Sequence, residues 1–103
     1  MISLIKKYSF LYMEKKYIDE LGFVKISEQR QKIMRDLKNK LKIPTEIAKS
    51  TNMSVSEVSR SLKTLKDKEI VIFLNEDKRI GRVYSLTEKG KEILNCIEKY
   101  EMV

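Results

Sequence analysis

The stretch 54-SVSEVSRSLKTLKDK-68 decides how this chain is read. Its apolar residues, Val55, Val58, Leu62 and Leu65, are sparse and evenly spaced. At 100° per residue they fall within an arc of roughly 80°, which makes a narrow stripe along one side of a helix. Arg60 stands diametrically opposite that stripe, with Ser56, Lys63 and Thr64 beside it. Ser54 is placed to cap the helix, and Glu57 three residues later completes a capping-box pattern. The spacing therefore predicts a helix that holds to its domain along one edge. It offers short hydroxyls, a guanidinium and an ammonium on the other.

The flanks give this helix a context. In 43-IPTEIAKSTNMS-54, Pro44 suits the first turn of a short helix, where its missing N–H would be unpaired anyway. Ile47 and Ala48 are its core residues, and Thr51-Asn52 ends it because Asn tolerates the left-handed conformation of a tight turn. Downstream, 70-IVIFLNEDKRIGRVYSL-86 holds two β-rich runs around a charged, glycine-containing turn, the pattern of a hairpin. Thr87 caps a last helix, with Ile93, Leu94, Ile97 and Tyr100 as its stripe. Two helices joined by a tight turn and followed by a hairpin have the order of a winged helix-turn-helix.

Upstream, residues 3–20 have helix-forming composition, but their apolar groups occupy several faces, and four of the chain's aromatic residues (Tyr8, Phe10, Tyr12, Tyr17) lie there. Such a helix needs contacts on more than one side. Gly22 is expected to break it. Ser27 is expected to cap a following helix that runs to about residue 39, with Met34, Leu37 and Leu41 on one side. From residue 25 to residue 42 seven Lys and Arg face only Glu28 and Asp36, a local net charge of +5, or 7 − 2.

The whole chain has 103 residues, enough for one domain, and a formal charge of +7. That balance favours an anionic partner and says nothing of fold. Histidine is absent and Cys96 is the single cysteine, so neither a zinc cluster nor a histidine-activated nucleophile can be built. No acid–base pair or phosphate loop stands out, and no cofactor or enzymatic activity is expected. No long apolar run is present, and the charged N-terminus lacks the apolar core of a signal peptide, so a cytoplasmic protein without a membrane partner is expected. Cys96, beside the stripe of the last helix, reads as packing.

The segment 44-PTEIAKSTNMSVSEVSRSLKTLKDKEIV-71 resembles the helix-turn-helix core of regulators of the multiple-antibiotic-resistance (MarR) type. The segment 77-DKRIGRVYSLTEKGKEIL-94 is similar to their wing and following helix, including the pattern Leu-Thr-x-x-Gly. Two positions depart from that family. Glu69 stands where glycine usually follows the recognition helix, and the wing is about one residue longer between Arg79 and Leu86.

The expected fold is therefore mostly α with a small β-hairpin (α+β), a winged helix-turn-helix with an added N-terminal helix. Residues 1–103 form one domain, with 27–86 as its core. Residues 1–21 and 87–101 are expected to pair two subunits. The resemblance implies a transcriptional regulator, more readily a repressor, bound as a homodimer to a palindromic double-stranded DNA site. Residues 54–68 would enter the major groove, and the wing, 75–82, would lie on the backbone or in the minor groove. The candidate DNA-binding residues are Ser54, Ser56, Ser59, Arg60, Lys63, Thr64, Lys78, Arg79 and Arg82. Arg60 can grip guanine O6/N7 or clamp a phosphate. Lys63 suits phosphate as a point charge. A small-molecule effector is not specified. The rival reading is a winged helix used for protein interaction in a transcription or replication assembly. It would call for an apolar recognition face in place of this cationic one.

Overall fold

The computed structural model describes residues 15–100. Five named helices and one hairpin follow in the order α1 (Ile18–Lys25), α2 (Glu28–Asp36), α3 (Pro44–Thr51), α4 (Val55–Asp67), β1 (Val71–Phe73), β2 (Tyr84–Leu86) and α5 (Glu88–Tyr100). Helices α2, α3 and α4 pack against one another, α5 lies across α2 and β2, and α1 closes the far side against α2 and α5. The mostly helical winged fold expected from the sequence is the one observed.

Local chemistry sets the helix ends. Ser27 Oγ accepts from Arg30 N (3.2 Å) and Ser54 Oγ from Glu57 N (3.1 Å), as N-caps should. Pro44 opens α3, and Glu46 Oε1 reaches back to accept from Ile43 N (3.0 Å). The capping box expected at α4 is only half made. Glu57 accepts from Gln29 Nε2 (3.2 Å) and so ties α4 to α2 instead of returning to Ser54. The chain leaves α2, α3 and α4 through left-handed residues at Asn39, Asn52 and Glu69 (φ 58°, 58° and 60°). Glu69 thus adopts the left-handed conformation that favours glycine, with a strain of about 1 kcal/mol.

The core joins Ile33, Met34, Leu37, Ile47, Val58, Leu62 and Leu65 from the three-helix unit to Ile70, Val71, Leu86, Ile93, Leu94 and Ile97. Four expectations change. Gly22 lies inside α1 and does not break it, because the buried neighbours Leu21 and Val24 hold the helix across it. The irregular backbone falls at Tyr17 instead (φ −129°, ψ 41°). Helix α2 ends at Asp36, and Asn39 turns the chain, so Leu41 leaves the helical face and is exposed. Val55 is also exposed, because the α4 stripe begins to be covered only at Val58. Ile93 and Ile97 lie in the core of this domain itself, so they are not a stripe left open for a second copy. The expected helix at residues 3–20 lies outside the described residues as far as residue 14, as does the side chain of Tyr100.

One ion pair fixes α1 to α5. Lys89 Nζ sits 3.0 Å from Glu20 Oε2, with both side chains about four-fifths buried, and 3.8 Å from the exposed Glu69 carboxylate. The hydrogen bond from Lys89 holds the Glu20 carboxyl below its usual pKa. A carboxylate whose pKa is lower in the folded state contributes its stabilisation above the unfolded value and loses it as pH falls through the folded one. Glu20→Gln is therefore expected to lower stability by ~1 kcal/mol near neutrality. The gap from the parent should close on acidification. Thermal melts of both proteins from pH 7 downwards check this, and a gap that does not narrow would contradict it.

Candidate nucleic-acid interface

Helix α4 presents two exposed sectors. Ser56 and Arg60 lie at the pole away from the core. Ser59, Lys63 and Lys66 follow at i, i+4 and i+7, within an arc of roughly 60°, and face the wing. Lys66 is not among the residues expected from the sequence, although its spacing from Ser59 and Lys63 is legible there.

Between this second sector and the hairpin runs a groove of about 460 Å³. Ser59, Lys63, Lys66 and Asp67 line it from α4, Phe73, Arg79, Gly81, Arg82 and Tyr84 line it from the hairpin, and Pro44 also lines it. Four cations face one carboxylate, a net charge of +3 (4 − 1). Phe73 anchors the wing wall. Its ring stacks edge-to-face on Tyr84 (centroids 5.7 Å apart) and carries the Arg82 guanidinium at 4.4 Å and the Lys66 ammonium at 4.8 Å.

The wing is held at its base and its tip. At the base, Lys42 adds a bridge beside β2: Tyr84 N donates to Lys42 O (2.8 Å) and Lys42 N to Tyr84 O (3.2 Å). The Lys42 ammonium, mostly buried, also binds Asp36 Oδ1 (2.8 Å) and Ser50 Oγ (2.9 Å). One residue thus fixes the hairpin to α2 and α3. At the tip, Asn75 Oδ1 accepts from Val83 N (2.8 Å) while its Nδ2 donates to Gly81 O (3.0 Å).

The nine expected site residues divide by what they already do. Ser56, Ser59, Arg60, Lys63, Lys78 and Arg79 are exposed. Ser54 is exposed, but its oxygen caps the helix. The Thr64 hydroxyl donates back to Ser61 O (2.8 Å) within α4. Arg82 Nε donates to Lys78 O (2.7 Å), so Arg82 shapes the wing as well as charging the groove. Lys42 and Asn75 place the wing and do not stand out in the sequence, because their roles depend on partners brought near only by folding.

The sequence profile of the winged helix-turn-helix family matches residues 27–103. The chain belongs to the winged helix-turn-helix family. No match was found among curated protein sequences. Among solved structures, ZitR of Lactococcus lactis in complex with DNA is 19% identical over 74% of this chain and 53% of its own, with a TM-score of 0.63. The MarR-family transcription regulator SP03579 is 16% identical over 98% of this chain and 61% of its own (TM-score 0.67). The Zα domain of Carassius auratus PKZ, in complex with Z-DNA, is 30% identical over 58% of this chain and 94% of its own (TM-score 0.52). This winged helix-turn-helix chain spans about half the length of the ZitR chains it matches. Among its described residues no helix is long and apolar enough to cross a membrane, and no group of three or more His, Cys, Asp or Glu could hold a metal ion.

Proposed function

We propose that this winged helix binds double-stranded DNA sequence-specifically, with α4 in the major groove and the wing on the adjacent backbone or minor groove, and that it regulates transcription, most simply as a repressor that blocks polymerase access. The observation that carries this reading is the cationic groove between α4 and the wing, with Arg60 exposed at the outer pole of the same helix. The hydroxyls of Ser56 and Ser59 are short enough to let the helix approach base edges. Lys63, Lys66 and Arg79 are exposed and can meet phosphates. The DNA complexes of ZitR and of the fish Zα domain support the same use of the fold. A protein-docking winged helix is less well supported, since it would present an apolar face where this one is charged.

A homodimer on a palindromic site is part of the proposal. Two recognition helices could then engage half-sites one DNA turn apart. The aromatic-rich first 20 residues are its best basis, because the stripe at Ile93 and Ile97 already serves its own core. No catalytic role is proposed, and the protein is taken to act in the cytoplasm, where its DNA would be.

Selection of bound duplex from a random pool, followed by gel shifts at moderate salt, tests the central claim. A chain that enriches no site and shifts neither right-handed nor left-handed duplex would overturn it. The groove itself is tested by the double variant Lys66→Ala/Arg79→Ala, which removes one cation from each wall. The slope of log affinity against log salt should fall by ~2, about 0.9 for each phosphate that is no longer neutralised. An unchanged slope would mean that the groove does not track the backbone.

A further inference from the structure

Ile80 is 90% exposed, more than any other large hydrophobic residue among those described, and it stands at the wing tip beside the charged run Glu76, Asp77, Lys78 and Arg79. The tip around it is pre-shaped. The Asn75 side chain ties the first arm to Gly81 O and Val83 N of the second, Lys78 N donates to Asn75 O (3.1 Å), and Arg82 Nε donates to Lys78 O (2.7 Å). Gly81 supplies the left-handed residue (φ 72°) that turns the chain back after Ile80. The two residues that flank Ile80, Arg79 and Gly81, both line the cationic groove beside α4, so the tip stands on the side assigned to DNA.

We propose that Ile80 is an apolar wedge, which the wing inserts from the minor groove against a base step of the bound duplex, partly unstacking it and bending the DNA. This rests on the DNA-binding reading above and extends it to a residue with no charge to offer. The physical reasons are three. A solvated isoleucine gains by leaving water, and the face of a base is a broad apolar surface that a wedge can reach from a groove. Its β-branched side chain is stiff and has no polar group left unpaired between bases. Lys78 and Arg79 beside it bring the tip to the phosphates lining the minor groove, where negative potential is strong. Because pyrimidine–purine steps open most easily, the selected site should carry a TA or CA/TG step under the wing.

The test uses the full chain and the duplex selected from a random pool. 2-Aminopurine is placed in turn at the steps flanking the major-groove contact, and a fluorophore pair on the duplex ends reports bending. With the parent, 2-aminopurine fluorescence should rise at one flanking step and the ends should draw together. Ile80→Ala should bind about tenfold more weakly, within the span of one mismatched base pair, and abolish both signals. Ile80→Val, which keeps the β-branch, should retain them, and neither change should move the melting temperature of the exposed tip's domain. If Ile80→Ala retains the bend and the fluorescence, or if the parent binds tightly to a straight, stacked duplex, the wedge is overturned while DNA binding stands. If the parent binds no duplex at all, both fall.

Discussion

Replacing Gly90 with alanine is expected to lower unfolding free energy by about 3 kcal/mol, the upper end for forcing atoms into a packed site. For a domain of this size that is a drop in Tm of ~15 °C. A Cβ at Gly90 would lie 2.2 Å from Ile70 O and 3.2 Å from Ile70 C, both backbone atoms that no rotamer change can move aside. The crowding has a source. Thr87 N donates to Ile70 O (3.0 Å), Thr87 Oγ1 donates to Glu69 O (2.7 Å) with Ile70 O also within reach at 3.1 Å, and Thr87 Oγ1 accepts from Gly90 N (2.9 Å). The first turn of α5 is thereby drawn onto the chain entering β1. The Leu-Thr-x-x-Gly pattern at residues 86–90 is thus a single device, in which the threonine caps and clamps and the glycine makes room. Gly22→Ala serves as the control, because nothing lies within 4 Å of its would-be Cβ and it sits inside a helix. It should stabilise by ~0.5–1 kcal/mol. Thermal denaturation of the two variants beside the parent checks both signs, and a Gly90→Ala protein as stable as the parent would refute the account of the clamp.

Arg60→Ala is expected to weaken binding to the selected DNA site by ~1–3 kcal/mol, roughly 5- to 150-fold, and to relax the preference at the base pair it meets. Its stability should stay within about 0.5 kcal/mol of the parent. The reason is its position. Arg60 is exposed at the pole of α4 opposite Val58, Leu62 and Leu65, and no hydrogen bond or ion pair engages it among the described residues. Removing it takes away a donor fork and nothing that the fold uses. Arg82→Ala is the instructive contrast, since that side chain also rests on Phe73 and holds the Lys78 carbonyl. Its loss should loosen the wing as well as remove a charge. Titrations of matched and single-mismatch duplexes with Arg60→Ala separate base reading from phosphate clamping. Equal loss on every duplex would assign Arg60 to phosphate, and no loss on any would remove it from the interface.

What the sequence by itself determined is local. The stripe Val58, Leu62 and Leu65, the caps at Ser27, Ser54 and Thr87, the proline opening α3 and the asparagine closing it were all legible, because each depends on neighbours within a turn or two. So were the hairpin and the outward placement of Arg60. The tertiary structure decided what depends on distant partners. Gly22 could look like a break until Leu21 and Val24 were seen to be buried across it. The stripe of the last helix could look like an interface until Ile93 and Ile97 were found inside their own core. The angle of the wing depends on Lys42 pairing with Tyr84, 42 residues further along the chain (84 − 42), and periodicity carries no information about such a pairing. Candidate site residues differ for the same reason. Exposure of Ser56, Ser59, Arg60 and Lys63 follows from one helix and its buried stripe. The cationic groove exists only because the Lys42 bridge and the Phe73–Tyr84 contact bring a wing to stand beside that helix.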